Sequence, residues 1–234
     1  MINSLDKDKL KKKYKKAKPF YHIVIDNFVP DYLLYEVINE FPKPDDDIFT
    51  WKSDDKNSIK LMCQDSELIG KLKYTRNLFN YLNDDRFLKQ LEEITGIDEL
   101  VADKELSGGG LHSTRRGGFL KVHSDFNVAD NLPNLNRRLN LILFLNPIWQ
   151  KKWGGYLDLY NEDLSEVIKS VKPIYNRAVI FATQPESDEF GPSWHGFPKP
   201  IECPEDVCRN SLALYYYTKE KKAKKHKTIY KELK

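Results

Sequence analysis

The segment Lys121-Val122-His123-Ser124-Asp125-Phe126 contains an H-x-D step. On a strand, side chains alternate between faces, so His123 and Asp125 project to the same side. A second histidine stands far downstream in Ser193-Trp194-His195-Gly196. Two neutral imidazoles and one carboxylate can hold a divalent iron on one face of an octahedron, leaving three positions for a bidentate acid and dioxygen. Histidines of this kind also occur as satisfied core or surface residues, so the pair alone does not decide the matter.

Arg209 lies fourteen residues past His195 and opens Arg209-Asn210-Ser211-Leu212-Ala213-Leu214-Tyr215-Tyr216-Tyr217. Strand alternation puts Arg209, Ser211 and Ala213 on one face, so a guanidinium and a hydroxyl project together. A planar, permanently charged guanidinium matches a carboxylate bidentately, which suits the far end of a dicarboxylate whose near end chelates a metal. The alternative is a surface ion pair, but the apolar run that follows predicts a buried strand.

These residues need strands to carry them. Residues 19–28 read as a strand, and Asp31 caps a predicted helix to about Glu40, stopped by Phe41-Pro42-Lys43-Pro44. The polar stretch 45–60 reads as a long loop. Apolar residues at helical spacing predict helices over 66–82 and 84–95, closed by Gly96. From residue 105 the texture changes to short apolar runs broken by Gly, Pro and Asn, and strands are predicted at 118–125, 138–145, 155–160, 173–182, 193–197 and 210–218. A mainly β fold with helical support (α+β), a sandwich or jelly roll, follows. The expected organisation is a basic N-terminal tail (1–18), one domain over 19–218 with helical support at about 31–96 and a jelly-roll core at about 105–218, and a basic C-terminal tail (219–234).

The chain has 234 residues, 31% charged, 40% apolar and 12% aromatic, which fits a folded globular protein rather than wholesale disorder. Its net charge of +3 hides an asymmetry. Residues 1–18 and 219–234 each carry eight lysines and two acidic residues, +6 apiece, leaving −9 for the 200 residues between. Lysine-rich ends of this kind are usually solvated tails or frayed helix. Met1 to Asp6 lead into lysine without a signal peptide's apolar stretch, and the longest apolar blocks are five residues, so an intracellular, cytoplasmic protein without a membrane span is expected. Cys63, Cys203 and Cys208 form no CxxC and are expected to be free thiols.

The order His123-x-Asp125, distal His195, then Arg209-x-Ser211 resembles the iron(II)- and 2-oxoglutarate-dependent dioxygenases. Gly117-Gly118-Phe119-Leu120, Arg137 to Asn146, and Trp153 to Tyr160 are similar to the prolyl 4-hydroxylase-like branch. The resemblance covers roughly residues 105–218 and implies a double-stranded β-helix with the N-terminal helices packed on one sheet. It implies that His123, Asp125 and His195 bind Fe(2+) and that Arg209 pairs with the distal carboxylate of 2-oxoglutarate. Ser211 adds a hydrogen bond there, and Asn140 either touches the cosubstrate or fills the sheet. O2 is the co-reactant, with ascorbate as an accessory reductant.

Relatives often carry a tyrosine about ten residues before the first histidine, where this chain has Leu111-His112-Ser113-Thr114, so His112 and Ser113 are the candidate replacements. The implied reaction is hydroxylation of an unactivated C–H bond, since Asp125 is retained where related halogenases have lost it. A prolyl or other peptidyl side chain is the branch's usual substrate. The alternatives are a free amino acid, sugar or other small molecule, and a non-catalytic metal-binding jelly roll. Demethylases of nucleic-acid bases typically carry a second arginine six residues past the first; Tyr215 stands there, which argues against nucleic acid. Arg115, Arg116, Arg137 and Arg138 either meet an acidic substrate or pair with the chain's own acids. The glycines at 108–110 read as loop flexibility at the barrel mouth. Oligomeric state is not legible.

Overall fold

The computed structural model describes residues 1–129, 131–132, 134–183, 192–220 and 225–233. The elements run α1 (Lys7–Lys16), β1 (His22–Asp26), α2 (Asp31–Asn39), β2 (Trp51–Asp54), β3 (Ser58–Cys63), α3 (Ser66–Gly70), α4 (Lys73–Leu82) and α5 (Asp85–Thr95). Then follow β4 (Val101–Ala102), β5 (Gly110–Thr114), β6 (Phe119–Ser124), β7 (Leu135–Phe144), β8 (Leu157–Tyr160) and β9 (Val167–Val171). The last are β10 (Arg177–Ala182), β11 (His195–Phe197), β12 (Arg209–Lys219) and β13 (Ile229–Tyr230). The strands form one antiparallel path, β1-β10-β7-β12-β5-β3-β6-β11-β8-β9, with β2 on β3, β4 on β12 and β13 on β6. This is the mainly β jelly-roll arrangement that the sequence implies, and helices cover one face.

Alternation on the central strands decides what lies inside. On β7, Leu139, Leu141 and Leu143 join the core beneath the helices, as do Leu212, Leu214 and Tyr216 of β12. Their neighbours Asn140, Ile142, Ser211 and Ala213 face a cavity on the other side. The helical layer meets the sheet through α4 and α5, whose Leu78, Leu82, Phe87, Leu91 and Ile94 are fully buried. Asp84 caps α5 by accepting from the Arg86 N–H, and Gly96 ends it in a left-handed conformation at φ 78°. The Tyr216 hydroxyl crosses between the layers to donate to the Leu82 carbonyl at 3.0 Å.

Several expectations are corrected. The predicted loop 45–60 holds β2 and the first half of β3, because alternation places Leu61 on the helical core and Lys60 and Met62 towards the cavity. The glycine-rich 108–110 is not simply a flexible rim: Gly110 opens β5 at φ 88°, and a Cβ there would meet the Cys63 carbonyl oxygen at 2.0 Å. The N-terminal segment expected as a tail contains α1, which buries Leu10 and Tyr14 while lysines cover its other faces. A Lys7–Glu93 ion pair links it to α5.

At the C-terminal end, expected as a basic tail, β13 pairs with β6 so that Tyr230 sits opposite His123, and Glu232 pairs with Lys121. Residues 221–224 and 234 of that segment lie outside the described residues. No helix among the described residues is long and apolar enough to cross a membrane. All three cysteines are free.

A docked helix and a solvated tail differ in one measurable respect. Leu10→Ala is expected to lower unfolding free energy by about 2–4 kcal/mol in a denaturant titration, whereas Lys11→Ala at an exposed position changes it by less than about 0.5 kcal/mol.

Candidate active site

Strand pairing brings the distant histidines together. β11 lies antiparallel to β6 with His195 directly opposite His123, and the ring centroids are 4.3 Å apart. Asp125, just past the end of β6, presents its carboxylate oxygens 3.5 Å from each Nε2. One ligand atom from each of the three buried residues lies within 4.8 Å of the other two, the only such group among the described residues.

The backbone fixes the tautomers. His123 Nδ1 lies 2.9 Å from the Lys121 carbonyl and His195 Nδ1 lies 2.8 Å from the Ser193 carbonyl. A carbonyl only accepts, so each Nδ1 carries a proton, and the tautomer this selects for a neutral ring has its lone pair on Nε2, the atom turned towards Asp125. Burial and the neighbouring His123 lower the His195 pKa to about 4, against weaker support from Asp125, so this ring is neutral at neutral pH. Burial alone would push the Asp125 carboxyl up; the Arg137 guanidinium and both histidines outweigh it and hold it well below the usual range. A carboxylate flanked by two bare imidazole nitrogens fits a divalent iron.

Arg137 and Asn140 hold that carboxylate. Asn140 Nδ2 donates to Asp125 Oδ2 at 2.8 Å, its Oδ1 accepts from Arg137 Nε at 2.8 Å, and Arg137 Nη2 lies 3.1 Å from the same Oδ2. The guanidinium is sandwiched, with Cζ 3.4 Å from the Tyr215 ring centroid and 4.8 Å from that of Phe126. Asn140 thus lines the cavity but spends its amide on orienting Asp125, a role between the two expected of it. Strict alternation from Asn140 points Arg138 inward instead of Arg137. A bulge between Tyr216 and Tyr217 skips Arg138 in the pairing of β7 with β12, and Arg137 becomes the buried residue.

Arg209 is 5% exposed and makes no ion pair among the described residues. Its Nε donates to the Gly155 carbonyl at 2.7 Å, and its Cζ lies 4.3 Å from the Phe197 ring centroid and 4.9 Å from that of Phe144. Burial lowers its pKa to about 9. Gly155, at φ 64°, would bring a Cβ within 3.3 Å of the Arg209 Cδ, so the glycine keeps room for that side chain. Ser211 shares the cavity wall, across β5 from which His112 and Thr114 also face in.

Between the two candidates for the missing tyrosine, His112 faces the cavity, while Ser113 turns away and donates to Asn210 Oδ1 at 2.7 Å. Burial and the nearby Lys60 lower the His112 pKa to about 3. The cavity of about 280 Å³ holds His123, Asp125, His195, Arg209, Ser211 and Asn140 together. Alternation alone did not reveal Lys60 and Tyr230 at its mouth, because both lie on strands read as loop or tail. The other arginines pair with the chain's own acids, Arg115 with Asp45 and Arg116 with Glu205.

Residues 109–217 match the model of the 2OG-Fe(II) oxygenase superfamily. That match takes in 109 of the 234 residues, and the superfamily it describes uses ferrous iron, 2-oxoglutarate and dioxygen. The chain is also similar to proteins described as prolyl hydroxylases. It is 26% identical over 204 residues to mouse (Mus musculus) prolyl 3-hydroxylase OGFOD1, covering 85% of this chain and 33% of that protein. The chain therefore spans about a third of the length of this curated relative. Its fold is similar to a Pseudomonas putida prolyl-4-hydroxylase, with a TM-score of 0.56 at 15% identity over 90% of this chain and 99% of the other. A Trichoplax adhaerens prolyl hydroxylase, solved with a hypoxia-inducible-factor peptide fragment, gives a TM-score of 0.55 at 15% identity over 90% of each chain.

Two outcomes follow from this geometry. Asn140→Ala leaves Asp125 without its amide donor, and a manganese titration should show metal affinity reduced by about 10–100-fold. In the metal-free protein, the unfolded chain protonates His112 near pH 6.5 while the folded chain does so only near 3. Between those values the unfolded state binds more protons, so stability falls as pH drops through the window. Urea titrations should show a shallower pH slope for His112→Gln than for the parent protein.

Proposed function

We propose that this chain is an Fe(II)- and 2-oxoglutarate-dependent hydroxylase acting on a prolyl side chain of a peptide. His123, Asp125 and His195 hold the iron, Arg209 and Ser211 hold the distal carboxylate of 2-oxoglutarate, and Arg137 with Asn140 keeps Asp125 in register. The bound iron and cosubstrate supply the chemistry, in which 2-oxoglutarate, O2 and R–H become succinate, CO2 and R–OH.

The protein's own contribution is preorganisation. The Lys121 and Ser193 carbonyls hold the Nδ1 proton of both imidazoles, so Nε2 of each ring is the atom left to ligate. Ile142, Leu157 and Phe197 line the cavity and restrict water around the cosubstrate. Gly155 and the two phenylalanine rings set the direction of Arg209, which faces the cavity that also holds the three ligands.

The observation that carries the reading is the buried Arg209, a cation without an acidic partner among the described residues, in one cavity with a neutral-imidazole and carboxylate triad. Leaving a guanidinium dry and unpaired is expensive unless an anion completes it. A structural metal site in a binding module has no use for it. The peptidyl prolyl assignment is supported by the two structural relatives named as prolyl hydroxylases and by the OGFOD1 similarity.

The test is succinate formation from 2-oxoglutarate with ferrous iron, together with a gain of one oxygen atom by proline-containing peptides. Parent protein should yield both. His123→Ala should yield neither, and Arg209→Met should raise the KM for 2-oxoglutarate at least about thirtyfold. Metal-independent turnover, or an unchanged KM in Arg209→Met, contradicts the reading.

A further inference from the structure

The cavity holds more positive charge than the proposed cosubstrate uses. Among the described residues Asp125 is the one carboxylate lining it, and Arg137 already pairs with Asp125. Of the two carboxylates of 2-oxoglutarate, one is matched by the metal and the other by Arg209 and Ser211. Lys60 remains. It lies on β3, outside the stretch that matches the superfamily model, and points into the cavity while Leu61 beside it packs on the helical core.

Lysines at a strand surface normally carry the ammonium out to water along their aliphatic stem. Lys60 does the opposite. Its Nζ lies 5.8 Å from the ring centroid of Trp51 at the rim and has no ion pair among the described residues. Burial pulls its pKa down to about 8; Asp125 opposes this, whereas Arg209 and Arg137 push the same way. The site thus keeps a costly ammonium in the same cavity as the metal-ligand cluster, on the side of the half-exposed Trp51.

We propose that Lys60 anchors a carboxylate of the primary substrate, so that the enzyme selects substrates with an acidic group close to the carbon being oxidised. This rests on the hydroxylase reading and deepens it from a prolyl side chain to one in an acidic setting. Trp51 covers the aliphatic part of the same ligand, and His112, neutral and beside Lys60, adds no competing charge.

The test uses matched probes: proline-containing peptides with Glu or Gln next to the proline, and L-proline against L-prolinamide. Each is titrated by calorimetry into manganese-loaded protein with 2-oxoglutarate under anaerobic conditions, and into metal-free protein. The acidic member of at least one pair should bind about tenfold or more tightly than its amide. Lys60→Met should erase that preference and Lys60→Arg keep it, while 2-oxoglutarate affinity stays within about twofold in both variants.

Retained 2-oxoglutarate binding also shows that Lys60→Met is folded. The proposal is overturned if no acidic probe is preferred by the parent protein or if the preference survives in Lys60→Met. It is equally overturned if Lys60→Met weakens 2-oxoglutarate as Arg209→Met does, which assigns the ammonium to the cosubstrate. Failure of the underlying hydroxylase reading shows separately, as absence of 2-oxoglutarate binding to the manganese-loaded parent. The acid-over-amide comparison on the metal-free protein stands apart from that result.

Discussion

The structure turns on charge taken out of water. A carboxylate placed inside a barrel is tolerated only when donors and countercharge surround it. Asp125 receives both from Arg137 and Asn140 on β7, and the site is completed by pairing β6 with β11. That one buried anion ties the two halves of the barrel together, because its ligand partners and its countercharge come from opposite walls. Arg137 is in turn held by Tyr215, whose hydroxyl donates to the Gly108 carbonyl at 2.7 Å. The glycine-rich turn before β5 is therefore part of the support of the metal-ligand cluster.

Much of this was legible in the residues. His123 with Asp125, and Arg209 with Ser211, lie two residues apart on or at the end of a strand, so the period-2 rule turns each pair to one side, and both pairs line the cavity. The strongly periodic α4 and α5 and the apolar β7, β10 and β12 were legible for the same reason. Arg137 escaped because a bulge breaks alternation at Arg138, and bulges leave no clear mark in a sequence. β2 and β3 escaped because their polar residues serve the rim and the cavity, which makes a strand resemble a loop. β13 and α1 escaped because lysine-rich composition masks the few residues, Leu10, Tyr14 and Tyr230, that make tertiary contacts.

These less legible elements lie outside the stretch that matches the superfamily, and all but α1 contribute residues to the cavity lining. Lys60 and Trp51 come from β2 and β3, and Thr228 and Tyr230 from the C-terminal strand beside His123. Under the proposed function, the core strands β6, β7, β11 and β12 position metal and cosubstrate. The surrounding additions set the charge and shape of the entrance. This division explains why reaction class is readable from spacing, whereas substrate preference depends on side chains that no spacing rule brings together.

The central claim is that two imidazoles, each offering Nε2, and one pinned carboxylate form a single cation site inside the barrel. Crystals grown anaerobically with manganese and measured at its absorption edge test it directly. The account predicts one strong anomalous peak bonded to His123 Nε2, His195 Nε2 and an Asp125 oxygen. A peak at another group, or either imidazole bound through Nδ1, contradicts it.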